Sequence, residues 1–78
     1  MPRFYFDMTV AGIVLPDDEG LDLPSLDAAR RDAMATVAAM AKDHSAPTEI
    51  TVDIRDGGHQ AVAVVRLSLR CEAPAKAV

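Results

Sequence analysis

Cysteine and aromatic residues are scarce in this sequence of 78 residues. The single cysteine, Cys71, excludes an internal disulfide. Two phenylalanines, one tyrosine and no tryptophan leave aliphatic residues and methionine to build the core. Such a core suits one helix on one sheet and is too small to enclose a ligand pocket. We therefore expect no small-molecule substrate and no cofactor, and we expect self-association to bury further apolar surface.

Positive charge and long apolar runs are also in short supply. Eight Lys and Arg against twelve Asp and Glu give a net charge of -4, the wrong sign for a protein whose affinity rests on neutralising phosphates. No apolar run approaches the roughly 18 residues of a membrane span, and we see no charged-then-apolar leader. These features predict a soluble protein of a reducing compartment, the cytoplasm, without membrane contact.

Two periodicities are present instead. Alternation in residues 3–8 and a short apolar run at 13–15 predict two strands. From Leu26 to about Asp43, apolar residues recur every three or four positions, which predicts a helix with Ser25 as its N-cap. Residues 48–70 then predict a β-hairpin.

The predicted fold class is α+β, with one helix on one face of a single antiparallel sheet in the order β-β-α-β-β. We expect a single domain over residues 1–72 and a frayed tail at 73–78. In the hairpin, Asp56 should face His59 across the turn at Gly57 and Gly58. The resulting pairs are Ile54 with Ala61, Val52 with Ala63, Ile50 with Val65 and Glu49 with Arg66.

The open face of this predicted sheet carries the first candidate site. Val62 and Val64 point outward in the predicted register, although aliphatic side chains do not favour a solvated face. Together with Tyr5 and Arg66 they predict an interaction patch for a homodimer or a small protein partner. The alternative is that valine stands there only for its β-propensity.

Arginines on the same face give the second candidate site, a nucleic-acid surface. Arg3, Arg55, Arg66 and Arg70 point outward, and Tyr5 could stack on a base. The face also carries three acidic residues, which nearly cancel this charge, and one aromatic ring is fewer than a stacking platform uses. A nucleic-acid partner therefore stays an alternative.

Five carboxylates precede the helix: Asp17, Asp18, Glu19, Asp22 and Asp27. Calcium loops alternate ligands with spacers and end in a distal glutamate, a pattern that adjacent, diverging side chains do not supply. We expect a turn leading into a capped helix, with no metal site, although cation binding stays open. No acid–base pair or nucleophile in the sequence predicts catalysis. His44 should lie near Cys71, but Cys71 has the inward parity of a core residue and is expected to be a small buried hydrophobic side chain. We expect no enzyme.

Three stretches of the chain resemble a known protein family. "MPRFYFDM" at the start, "DDEGLDLPSLDAARRDAM" before and into the helix, and "EITVDIRDGG" in the hairpin are similar to a family of short bacterial proteins, frequent in rhizobia, that is classed as a domain of unknown function. The resemblance implies a stand-alone intracellular protein and brings no activity or catalytic residue.

The turn-to-helix junction also resembles HicB-type antitoxins, through Pro16, Asp17, Gly20, Ser25 and Asp27 followed by alanine. That resemblance implies a dimer-forming domain that covers the RNA-binding surface of a small toxin. Residue pattern and resemblance together predict a non-enzymatic interaction or regulatory module that self-associates through the open sheet face. An antitoxin-like or nucleic-acid-associated regulator is the alternative.

Overall fold

The computed structural model describes residues 1–44 and 47–70. Within these ranges the chain forms five strands and one helix, which confirms the predicted α+β class. They are β1 Arg3–Val10, β2 Ile13–Leu15, β3 Leu21–Asp22, α1 Leu26–Ala41, β4 Thr48–Arg55 and β5 Ala61–Leu69. The predictions for Cys71 and for the tail at 73–78 lie outside the described residues. The described part contains no helix with the length and apolarity needed to span a membrane.

The strands form one antiparallel sheet in the order β2-β1-β4-β5. β3, which the sequence did not predict, also pairs with β1, on the same side as β2. The outer side of β1 is therefore covered by two short strands, with residues 16–20 looping between them. The two central strands bury their alternate apolar residues, as Ile50, Val52 and Ile54 do on β4.

Helix α1 begins where the sequence predicts. The side chain of Ser25 accepts a hydrogen bond from the amide of Ala28 at 3.1 Å, and Asp27 lies in the first turn, where negative charge suits the helix dipole. Ala29 and Ala33 are fully buried, so these small side chains bring the helix backbone close to the sheet. The helix packs mainly over β4 and β5 rather than over β1 and β2.

The hairpin register differs from the predicted one. Asp56 faces Gln60, not His59, because its carboxylate accepts the amides of Gly58 and Gln60 and holds a three-residue loop. His59 takes the left-handed conformation that ends such a loop, with φ 63°. A bulge follows, and beyond it the strands are displaced by two residues from the predicted register. The pairs are Ile54 with Ala63, Val52 with Val65, Ile50 with Leu67, Thr51 with Arg66 and Glu49 with Ser68.

The bulge reverses the predicted orientation of two residues. Ala61, predicted to point inward, pairs with Arg55 and is exposed. Val62, predicted to lie on the open face, is half-buried and packs against the core. Beyond the bulge a shift of two preserves side-chain parity, so Val64 remains on the open face, 52% exposed. The predicted outward valine pair is therefore wrong at Val62 and correct at Val64.

Candidate functional site

The acidic run folds back onto β1 around the side chain of Asp17. One carboxylate oxygen of Asp17 accepts the amide of Phe6 at 3.0 Å, and the other accepts the amides of Glu19 and Gly20, both at 3.1 Å. Phe6 lies between the part of β1 that pairs with β2 and the part that pairs with β3. The side chain of Asp17 thus accepts the amide that a neighbouring strand would otherwise accept there. Partial burial opposes ionisation of Asp17, but the three amides outweigh it and lower its pKa.

Arg55 connects this loop to the open face of the sheet. Its Nε and Nη2 donate to the two carboxylate oxygens of Asp7 at 2.6 and 3.1 Å, and Nη2 also donates to the carbonyl of Asp17 at 3.1 Å. The hydrogen bond from Arg55, together with the amide of Asp17, lowers the pKa of Asp7. A bidentate pair of this kind is among the stronger charged contacts in proteins. The loop and the two central strands are therefore tied together by one polar network.

Tyr5 lies within this network rather than free on the open face. The guanidinium carbon of Arg55 lies 5.1 Å from the centre of the Tyr5 ring, and the His59 ring centre lies 5.1 Å from it on a tilted plane. Nη1 of Arg55 also lies 2.7 Å from Nδ1 of His59. The backbone of Gly20 approaches Tyr5 from the loop. The ring is half-buried by these neighbours and offers little surface for stacking on a base.

The remaining arginines divide into two groups. Nε of Arg3 donates to Asp22 at 2.9 Å and Nη1 of Arg3 donates to the carbonyl of Glu19 at 2.9 Å, which fastens the far end of the loop. Arg66 and Arg70 are both exposed at or beyond β5. Of the four arginines proposed for nucleic-acid contact, Arg3 and Arg55 are therefore held by carboxylates. The structure does not gather the four into one basic patch.

The acidic residues do not form a metal centre in the part of the chain that the structure describes. There, no group of three or more His, Cys, Asp or Glu side chains could hold an ion. Asp17 and Asp22 instead turn toward backbone amides and toward Arg3. Their arrangement makes the run a structural loop.

Two glycines with positive φ offer a matched test of this loop. Gly20, with φ 74°, lies so close to β1 that an added Cβ would come within 2.9 Å of Arg3 Cγ and 3.0 Å of the Phe4 carbonyl oxygen. Gly12, with φ 83°, has open space at that position. We expect Gly12→Ala to cost about 1–2 kcal/mol from its backbone conformation alone. Gly20→Ala should cost about 1–2 kcal/mol more, because β1 must shift.

Urea denaturation of the two glycine variants measures this difference. Equal losses would mean that residues 16–20 can move away from β1 at no cost. That result would contradict a loop held firmly by Asp17 and Arg3.

An apolar surface that the sequence analysis missed lies on the helix side of the sheet. Because α1 packs mainly on β4 and β5, Phe6 and Met8 of β1 and the side chains of β2 and β3 are left partly uncovered there. Ile13 is 65% exposed, Leu15 49% and Leu21 45%. They pair with inward residues of β1 and so share its helix-side face. We call the resulting surface the apolar strip; its members are Phe6, Met8, Ile13, Leu15 and Leu21.

A signal for this strip was present in the sequence. Residues 13–15 are three consecutive apolar residues, so alternation did not assign them to a face. The pairing settles the assignment: Ile13 and Leu15 lie on the helix side, and Val14, 64% exposed, lies on the open face beside Thr9. Half-burial of Phe6 and Met8 makes the strip continuous with the core.

Comparisons with known proteins identify a family without an assigned activity. No curated protein and no solved structure matches the chain. One family model matches residues 3–68, which include every strand and the helix of the described fold except the last residue of β5. The chain therefore belongs to the family described as a domain of unknown function, DUF6894.

Proposed function

We propose that this protein is a non-enzymatic interaction module that self-associates by burying the apolar strip against a second copy of the chain. The observation that carries the proposal is the exposure of Ile13, Leu15 and Leu21 beside a helix that packs mainly on β4 and β5. Contiguous exposed apolar side chains of this kind mark protein–protein contacts more often than solvated surface.

The small size of the domain supports a second copy as the occupant. A chain of 78 residues buries only about 60–65% of the surface that its unfolded chain exposes, so dimerisation adds stability that the monomer core does not supply. The strip consists of uncharged side chains. In a two-fold symmetric dimer the strips of the two copies would therefore contact each other without bringing like charges together. The resemblance to dimer-forming HicB-type antitoxins points in the same direction.

This proposal moves the contact away from the open face that the sequence analysis favoured. Val62 packs against the core, and Tyr5 is covered by Arg55, His59 and the loop. Of the four residues predicted for that contact, Val64 and Arg66 keep exposed side chains on the open face. They form a smaller apolar surface than the strip.

Mass in solution tests the proposal with two matched variants. We expect the wild type to sediment as a dimer at high micromolar concentration and Ile13→Asp to sediment as a monomer, because a carboxylate would be desolvated in the contact. Val64→Asp, an equal change on the exposed open face, should remain a dimer. Circular dichroism checks that both variants fold. A monomeric wild type would refute self-association, and dissociation by Val64→Asp alone would return the contact to the open face.

A further inference from the structure

The two outer sides of the sheet differ in how they are protected. Beyond β1 lie β2 and β3, which are three and two residues long, separated by Pro16 and the loop that Asp17 closes. Short strands, proline and an interrupted ladder are the usual protection against pairing with another chain. The side beyond β5 has no partner strand among the described residues.

Strand β5 has few of these protective features. It runs for nine residues, Ala61–Leu69, which is about 30 Å of extended chain. Its sequence AVAVVRLSL contains no proline, and Arg66 is its one charged residue. The single irregularity in its pairing lies at the turn end, between Ile54 and Arg55. The outer edge of β5 therefore presents a long row of backbone donors and acceptors suited to pairing with an added strand.

The charge at this edge indicates what kind of strand would fit. Arg66 is exposed on the open face and forms no ion pair among the described residues, although Asp53 and Glu49 flank its pairing position on β4. A strand added outside β5 would lie about 4.8 Å from β5 and twice as far from β4. Its nearest charged neighbour would therefore be Arg66 rather than the carboxylates of β4. Helix-side positions of the added strand would meet Val65 and Leu67, which favours aliphatic residues there.

A second copy of β5 fits this edge less well. In antiparallel pairing centred on Val65, Arg66 of each copy would face Val64 of the other. The two guanidinium groups would then share one face at diagonal positions about 7–8 Å apart, with no carboxylate between them. Glutamate in the added strand would remove this repulsion and supply an opposite charge.

We propose that the outer edge of β5 binds an extended segment of another protein that alternates aliphatic with acidic residues, with an acidic side chain beside Arg66. A cleft lies where β4 begins and β5 ends, lined by Pro47, Thr48, Glu49, Ser68, Leu69 and Arg70. The proposal is independent of the apolar strip, which lies on β1, β2 and β3 toward the opposite side of the sheet.

Two synthetic peptides test this edge. One is a blocked nine-residue peptide that alternates valine and glutamate, and the other has lysine in place of glutamate. Titration at low salt is followed through backbone amide signals by NMR. We expect the glutamate peptide to shift the amides of β5 and to bind about fivefold more tightly than the lysine peptide. Arg66→Glu should reverse that preference, whereas Arg30→Glu, an equal charge change on the exposed helix surface, should preserve it.

Three results would overturn the proposal. The first is that neither peptide shifts the β5 amides at millimolar concentration. The second is that both peptides bind equally, or that Arg30→Glu weakens binding as much as Arg66→Glu does, since only general charge would then matter. The third is amide protection along β5 that grows with protein concentration in Ile13→Asp without peptide, because a second copy would then occupy the edge.

Discussion

Replacing Ile54 by alanine is expected to lower the free energy of unfolding by about 2–5 kcal/mol. The Ile54 side chain is 0% exposed and lies on a central strand, paired with Phe6 on one side and Ala63 on the other. Truncation removes buried methyl groups and leaves a cavity under the helix that the sheet cannot close. A domain of this size has about 4–12 kcal/mol of total stability, so the variant should be partly unfolded at physiological temperature.

Urea denaturation at one fixed protein concentration measures the effect of Ile54→Ala, because a self-associating protein has concentration-dependent stability. Ile54→Val should cost about 0.5–1.5 kcal/mol. Val64→Ala, on the exposed face of the next strand, should cost less than about 1 kcal/mol. If Ile54→Ala and Val64→Ala prove equally mild, the core does not lie between α1 and β4.

The helix was predictable because its signals are local. The spacing of Ala29, Ala33 and Val37 and the cap at Ser25 each depend on neighbouring residues only, and the structure confirms all four. The predicted end near Asp43 was two residues late, since Ala41 is the last helical residue and Lys42 is the cap. Interactions within one turn of a helix are what a sequence pattern records most directly.

The hairpin register failed because one side chain changed the turn. Two adjacent glycines predict a two-residue turn, but Asp56 accepts two amides of the loop and makes it three residues long. The added bulge then displaced the remaining pairs by two residues. Beyond the bulge the displacement is an even number of residues, so Val64, Arg66 and Ser68 lie on the predicted face of the sheet. Only the residues beside the turn, Ala61 and Val62, changed sides.

The candidate sites were harder to predict because they depend on contacts between distant parts of the chain. Arg55 and Asp7 are 48 residues apart, and Arg3 and Asp22 are 19 apart. No local pattern shows that these arginines are neutralised. The apolar strip likewise depends on which strands the helix covers, and the order of elements alone does not fix that. The sequence therefore predicted which face of the sheet a residue lies on better than it predicted whether other residues of the chain already cover that side chain.

Replacing Asp17 by asparagine is expected to lower the free energy of unfolding by about 2–3 kcal/mol at neutral pH. Both carboxylate oxygens of Asp17 accept backbone amides, from Phe6 on one oxygen and from Glu19 and Gly20 on the other. Asparagine keeps one acceptor oxygen and turns a donor toward the other amide site. Asp18→Asn, the same charge change on the exposed neighbouring residue, should cost less than about 0.5 kcal/mol.

The pH dependence of stability should also show the contribution of the Asp17 carboxylate. Because the pKa of Asp17 is lower in the folded chain than its ordinary value, its ionisation stabilises the fold above about pH 4, and this contribution is lost as pH falls through the folded pKa. The wild type should therefore lose stability between about pH 5 and pH 3, and Asp17→Asn should lose less over that interval. The variant should keep some acid sensitivity because the pKa of Asp7 is also lowered.

Urea midpoints at pH 7, 5, 4 and 3 measure the stability of the wild type and of Asp17→Asn. Parallel curves would show that Asp17 does not hold the loop on β1 through its charge.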